Sequence, residues 1–340
     1  MGNMMRAAVA EKRGEPLVLR ELPVPEPGPG EILVRIVTSG VCHTDVHVID
    51  GDWPMKMRLP LIPGHEGCGY VAALGNGVTS VLEGDRVGVF WLNSACGSCE
   101  YCVTGRETLC LRQQNTGYSA NGTYADYCVL SAQYAVPLPD GDFAALTPIM
   151  CAGVTTYKAL KEIGARPGNW IVISGLGGTG HLAVQYAKAM GLHVAGIDID
   201  DGKLEQAKAL GADITINADR EFPVNRINKL TGGAHGALIT AIAPKAFEQG
   251  VRMLRRGGTC VLIGVPHGAF PLSIFDTVVK GLTVRGSITG TRQDLREALQ
   301  LAGEGKVSAI VESEPLTEVN SAIEAIRKGR VKGRVVLRMV

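Results

Sequence analysis

The sequence predicts an α/β protein with a separate β domain: an irregular β-rich region is followed by a doubly wound parallel sheet of six strands. Three observations carry that reading. Over residues 1–150 short apolar runs alternate with turn residues, in RAAVA, LVLRELP, EILVRIVTSG, VAALG, DRVGVF and ADYCVL, with PVPEPGPGE as a stiff connection. Over residues 151–287 the pattern changes to apolar strands separated by helical stretches. The strands are NWIVISG, HVAGID, ITIN, GALIT, TCVLIG and LTVRG, with helices over 181–190 and GKLEQAKALG, and such alternation builds a parallel sheet with helices on both faces. Residues 288–340 return to the first style, with helices over 293–302 and 319–328 and a last strand GRVVLRMV, and are expected to pack back on the first domain.

Composition narrows the function. A chain of 340 residues that is 46% hydrophobic can bury a large core. With 34 basic against 33 acidic residues and no basic block, nucleic acid and acidic membrane surfaces are excluded as partners, which leaves a small molecule. No apolar run reaches membrane-spanning length. The N-terminal MGNMMRAAVAEKRGEP has charges where a signal peptide needs an apolar core, and Arg6 stands where a myristoylation signal needs Ser or Thr. The expected compartment is the cytoplasm, where thiols stay reduced and clustered cysteines serve as metal ligands rather than disulfide partners.

The stretch IVISGLGGTGHLAVQYA reads as strand, glycine turn and helix. Gly175 permits the tight turn, Gly177 and Gly178 leave backbone N–H groups open to a pyrophosphate, and Gly180 lets the helix pack on the strand. The next strand, HVAGID, ends in Asp198, a carboxylate suited to ribose hydroxyls. Asp200 and Asp201 follow, and Lys203 is read as the only nearby cation, so a 2′-phosphate would meet negative charge and NAD is expected over NADP.

Residues 96–110, CGSCEYCVTGRETLC, hold four of the nine cysteines. Cys96, Cys99, Cys102 and Cys110 follow C-x2-C-x2-C-x7-C, which lets one loop surround a zinc ion with four thiolates and leaves no open position. An iron–sulfur cluster is the second reading, weakened because Leu111 rather than proline follows the last cysteine. Redox disulfides come third. The remaining candidates are Cys42 in GVCHTDVH, His65 in PGHEGCG and Cys151 in PIMCAGVTTY, each of which taken singly reads as a buried thiol or a satisfied histidine.

Taken together with G-H-E-x-x-G-x5-G-x2-V (Gly64, His65, Glu66, Gly69, Gly75, Val78), the four-cysteine stretch and GLGGTG, these fragments resemble the zinc-dependent alcohol dehydrogenases of the medium-chain dehydrogenase/reductase superfamily over essentially the whole chain. The resemblance implies a GroES-like catalytic domain joined to a Rossmann domain, and two zinc ions per chain. The catalytic zinc is implied at Cys42, His65 and Cys151, a Cys2His set that is the known ligand pattern of alcohol dehydrogenase. It implies Thr44 and His47 as a proton relay through the cofactor ribose to solvent, Asp45 as the carboxylate orienting His65, and Glu66 as an aid to ligand exchange at the metal. It implies cofactor contacts at His43, Val265 and Arg334, and a homotetramer.

His43 stands where some relatives have arginine, so the dinucleotide is expected to be held less tightly. Trp53 and Trp91 match pocket-lining positions and point to small primary alcohols and their aldehydes; either ring could instead serve the core or an interface. Two alternatives remain: a polyol or secondary-alcohol dehydrogenase, against which Cys151 argues, and a non-catalytic zinc- or NADH-binding protein, against which the complete ligand and relay set argues.

Overall fold

The computed structural model describes residues 3–53 and 57–339. By backbone contacts the chain divides into two units, one of Met1–Cys151, Thr291–Gly303 and Ala309–Val340, the other of Ala152–Gly290 and Glu304–Ser308.

The first unit opens with the hairpin β1 (Met4–Val9) and β2 (Val18–Pro23), then β3 (Glu31–Val41), α1 (His43–Asp50), β4 (Gly67–Leu74), β5 (Arg86–Val89) and β6 (Leu92–Ser94). It continues with α2 (Glu100–Val103), β7 (Gln114–Asn115), β8 (Tyr127–Ser131), β9 (Val136–Pro137) and α3 (Phe143–Leu146). β3 is the organising strand. Its alternating β-branched residues are buried, and it pairs antiparallel with β4 and β8. α1 places Thr44 and His47 on a helix. Cys42 is its N-cap, Asp45 accepts the Cys42 backbone N–H at 2.9 Å, and Gly51 ends it in a left-handed conformation.

The second unit runs α4 (Ala152–Ile163), β10 (Trp170–Ser174), α5 (Gly180–Ala189), β11 (His193–Asp198), α6 (Asp201–Ala209), β12 (Ile214–Asn217), α7 (Pro223–Thr231) and β13 (Ala234–Ile239). It ends with α8 (Pro244–Arg252), β14 (Leu254–Leu262), α9 (Ile274–Lys280) and β15 (Thr283–Gly286). All six strands are parallel, in the order β12-β11-β10-β13-β14-β15. The order reverses between β10 and β13, the switch point at which such sheets bind ligands beyond their strand ends. Val172, Ile197, Ile216, Ile227, Ile239 and Phe247 form one face of the core, and Cys260 is buried among them as an ordinary thiol. α7 and α8 each begin on proline at the first helical position, a start signal that a search for apolar strands passes over.

The tail adds α10 (Arg292–Gly303), β16 (Val311–Pro315), α11 (Val319–Arg327) and β17 (Arg334–Arg338). β17 pairs antiparallel with the end of β3, completing a seven-stranded sheet in the first unit ordered β16-β17-β3-β4-β5-β9, with β8 on β3. Residues 304–308 go with the second unit for a definite reason: the Gln185 amide donates to the Ser308 carbonyl at 2.9 Å and accepts its N–H at 2.9 Å. Among the described residues no helix is long and apolar enough to cross a membrane.

Candidate active site

Three distant segments of the first unit converge on one point. Cys42 comes from the turn between β3 and α1, His65 from the loop entering β4, and Cys151 from the end of the 3-10 turn Thr147–Met150. Ligand-type atoms of Cys42, His65, Glu66 and Cys151 all lie within 4.8 Å of one another. The Cys42 and Cys151 sulfurs are 4.0 Å apart. Two thiolates on a tetrahedral zinc stand about 3.8 Å apart, given a Zn–S bond of about 2.3 Å. The Cys151 thiol, as hydrogen-bond donor, and the Arg334 charge hold Cys42 well below the usual thiol range against the opposing effect of burial, which favours the thiolate a metal takes.

The imidazole fits as well. His65 is 1% exposed and its Nδ1 lies 2.8 Å from Asp45 Oδ1, so Nδ1–H donates and, in the neutral ring that a metal takes, Nε2 keeps its lone pair. That Nε2 is buried and makes no hydrogen bond among the described residues. An orphaned buried acceptor costs about 1–3 kcal/mol unless a partner arrives, and a cation between the two sulfurs is such a partner.

Behind the ligands lies a second tier that the sequence showed only in part. Asp45, 1% exposed, accepts from three donors: the Cys42 N–H, His65 and the Tyr124 hydroxyl at 2.8 Å. Glu66 is ion-paired with Arg334, whose guanidinium is buried. Burial pushes Glu66 up to about 7 against the pull of Arg334. Gly40 makes room for this carboxylate, since a Cβ there would overlap it. Neither Tyr124 nor Gly40 carries a sequence signal linking it to residues 45 or 66.

On α1, His43, Thr44 and His47 share a face by their i, i+3 and i, i+4 spacing, and the two imidazole rings are 5.0 Å apart. His47 Nδ1 lies 2.8 Å from Asp52, a carboxylate missed in the sequence. Trp53 stacks on His47 at 5.7 Å and meets Trp91 edge-on at 6.3 Å, while Trp91 meets the His65 ring at 5.3 Å. Tyr118, also unforeseen, lies against both tryptophans at 5.8 and 5.9 Å. A continuous aromatic wall thus borders the cluster.

The four-cysteine stretch folds on itself. Cys99 caps α2, and the sulfur of Cys102 is 3.6 Å from that of Cys99 and 3.9 Å from that of Cys96, again the spacing of thiolates around one ion. Backbone N–H groups of Ser98 and Cys99 aimed at Cys96 hold its thiol down at about 5. Cys110 is buried and the other three are half-exposed. Glu107, between the ligands, is buried and binds Arg292 of α10 at 2.9 Å.

In the second unit Gly175 has φ +96°, and a Cβ at Gly180 would overlap the Gly175 carbonyl, so both must be glycine. At Gly177 nothing lies within 4 Å of where a Cβ would stand: the turn leaves an open cradle beside the start of α5, where a pyrophosphate fits. Gly178 lies in the same turn. Asp198 accepts backbone N–H groups from Leu176 at 2.7 Å, Ile199 at 2.8 Å and Asp200 at 3.1 Å, which fixes its carboxylate. Lys203 lies in the first turn of α6, whose N-cap is Asp200, and Val265, 61% exposed, follows β14. One expectation needs correction: Lys203 is not the sole nearby cation. Arg220, beyond β12, reaches Asp201 at 2.6 Å, a neighbour that adjacency in sequence cannot reveal.

A GroES-like β unit that gathers Cys42, His65 and Cys151, in one chain with a doubly wound unit that carries a glycine-rich turn, defines a medium-chain dehydrogenase/reductase. Residues 28–140 match the alcohol dehydrogenase GroES-like domain and residues 178–304 the zinc-binding dehydrogenase domain. The chain is 55% identical over 334 residues to an alcohol dehydrogenase of Moraxella sp. (strain TAE123), covering 98% of this chain and 99% of that one. It is 54% identical over 336 residues to an alcohol dehydrogenase of Geobacillus stearothermophilus, covering 98% and 100%. Among solved structures, the alcohol dehydrogenase of Aeropyrum pernix aligns with a TM-score of 0.90 at 31% identity, covering 98% of this chain and 99% of that one. The chain belongs to the zinc-dependent alcohol dehydrogenase family, and its activity is the oxidation of alcohols with a nicotinamide dinucleotide.

Proposed function

We propose that this enzyme interconverts small, unbranched primary alcohols, and some secondary ones, with their aldehydes or ketones, using NAD. The aromatic wall carries the proposal: Trp53, Trp91 and Tyr118 crowd the side of the cluster next to His65, which favours slim substrates over branched or polyhydroxylated ones. Zinc held by Cys42, His65 and Cys151 supplies a Lewis acid that makes the alcohol hydroxyl easier to deprotonate.

The chain's own residues do the rest. Asp45 keeps His65 in the tautomer that binds metal, and Thr44 accepts the alcohol's proton as it hands its own hydroxyl proton on toward His47. His47, held by Asp52 and partly open to solvent, releases it. Glu66, with Arg334 as its counter-ion, is a buried carboxylate beside the ligands that assists exchange at the metal. Cys96, Cys99, Cys102 and Cys110 hold a structural zinc.

For the cofactor, Gly175, Gly177, Gly178 and Gly180 take the pyrophosphate, with His43 and Arg334 as further contacts. Asp198 takes the adenosine ribose, Lys203 flanks it, and Val265 meets the nicotinamide half. NAD is preferred because Asp198 is fixed in place by its N–H donors and Arg220 is engaged by Asp201, leaving a 2′-phosphate facing acidic side chains.

The enzyme acts in the cytoplasm as a homotetramer. Support for assembly comes from Ile274, Phe275 and Val278 of α9, 82%, 75% and 74% exposed, close in sequence to the sheet-edge strand β15.

The test is the initial rate of NADH formation with NAD and a panel of primary, secondary and polyhydroxy alcohols, repeated after chelation and zinc restoration. Turnover of small primary alcohols that falls and returns with zinc is expected. A preference for polyols would overturn the use of the aromatic wall, and NADH binding without turnover of any alcohol would return the chain to a binding role.

A further inference from the structure

We infer that Tyr124 is a positioning residue of the metal site: its hydroxyl locks Asp45, and through Asp45 holds His65 Nε2 toward the zinc. The inference rests on the reading of Cys42, His65 and Cys151 as zinc ligands. Tyr124 is 0% exposed and its hydroxyl is 2.8 Å from Asp45 Oδ2, the same oxygen that accepts the Cys42 N–H at 2.9 Å. The other oxygen takes His65 at 2.8 Å. Three donors from residues 42, 65 and 124 therefore fix both the position and the plane of one buried carboxylate. A charge-assisted hydrogen bond to such a group is about twice as strong as a neutral one.

The backbone is arranged to deliver that ring. Tyr124 N–H donates to the Pro63 carbonyl at 3.0 Å, Thr123 N–H to the Gly64 carbonyl at 3.0 Å, and Ala8 N–H to the Tyr124 carbonyl at 2.8 Å. Gly64, at φ +91°, is the glycine directly before His65, and a Cβ there would overlap the Tyr124 ring. The glycine of the G-H-E motif thus has a physical task, which is to let a tyrosine pass beside the histidine and reach Asp45. Phenylalanine would fill the same space, so packing alone does not call for the hydroxyl.

The deciding measurement is zinc release from the intact enzyme to a chromophoric chelator in excess. Two zinc ions per chain give two phases, and the one that follows the loss of alcohol oxidation belongs to Cys42, His65 and Cys151. Tyr124→Phe is expected to speed that phase about ten-fold, the lower end of the usual range for partners of metal ligands. The other phase and the melting temperature of the zinc-free protein should be unchanged. In an Asp45→Asn background, which removes the charge the hydroxyl binds, Tyr124→Phe should add less than about two-fold. An unmoved first phase, two phases accelerated together, or a full ten-fold effect persisting on Asp45→Asn would each overturn the role of Tyr124. A chain binding a single zinc would instead overturn the ligand assignment, and this inference with it.

Discussion

The two cysteine sites of the first unit are built in opposite ways. The four-cysteine lobe takes every proposed ligand from residues 96–110, leaves three of them half-exposed, and orients Cys96 with N–H groups two and three residues away. The other cluster gathers its proposed ligands from positions 42, 65 and 151 and backs them with Asp45, Tyr124, Glu66 and Arg334. The difference follows from coordination. Four thiolates on one loop complete a tetrahedron by themselves. Three ligands do not, and a site that must keep one position open needs its geometry imposed from outside the first ring of contacts. The closed site is therefore a property of a short stretch, the open site a property of the whole unit.

The largest effect should come from removing one ligand at each. Cys151→Ala is expected to leave one zinc per chain and to lower kcat/KM for alcohol by about 10³-fold or more, since the metal's share of the barrier is several kcal/mol. Its melting temperature should move little. Cys110→Ser should also lose one zinc, yet keep activity per folded molecule within about ten-fold while melting earlier, because the lobe's metal contributes to folding and not to chemistry. Zinc content, melting and steady-state kinetics on both variants decide it. A folded Cys110→Ser as inactive as Cys151→Ala would break the comparison.

The dinucleotide turn is a third site of the local kind. Gly180→Ala puts a methyl group into the Gly175 carbonyl, so the start of α5 must move. Overpacking of this sort costs about 1–3 kcal/mol. NAD affinity and the stability of the second unit should fall together, measurable by titration calorimetry and denaturant unfolding. Loss of stability with unchanged NAD affinity would show that the turn tolerates displacement.

What the sequence made legible follows the same division. The lobe, the glycine turn and Asp198 lie within single stretches, so spacing was enough to read them, and the six parallel strands announced themselves by apolar runs between helices. The convergence of Cys42, His65 and Cys151 was reached only through resemblance, because spacing says nothing about segments that β3 and β4 bring together. Tyr124 and Tyr118 were missed for that reason, Asp52 because the turn at Gly51 brings it back onto His47, and Arg220 because the loop after β12 folds back on Asp201. α1 went unread because its start signal is a cysteine, whose capping by Asp45 depends on a carboxylate also committed to His65.

Substrate choice tests whether the support of the open site also shapes its mouth. Trp91 touches His65 on one side and Tyr118 and Trp53 on others. Trp91→Ala should raise kcat/KM for a branched alcohol relative to a short unbranched one by about ten-fold, the scale of a pocket contact worth 1–3 kcal/mol. Equal loss for both substrates would assign the ring to packing.

The smallest effect sharpens the boundary between the open site and the cofactor. His43 is the first residue of α1, next to Cys42, and burial together with its neighbour His47 holds its imidazole below the usual range. His43→Arg replaces it with a permanent charge at the helix N-terminus, which under the proposed cofactor contact would meet the pyrophosphate. The dissociation constant for NADH should fall about three-fold at low ionic strength, a gain typical of a partly exposed charge pair. That gain should vanish near 1 M salt, where the screening length is about 3 Å. Fluorescence titration at both ionic strengths separates charge from shape: tighter binding that survives high salt would credit contact, and no change at either would remove His43 from the cofactor site.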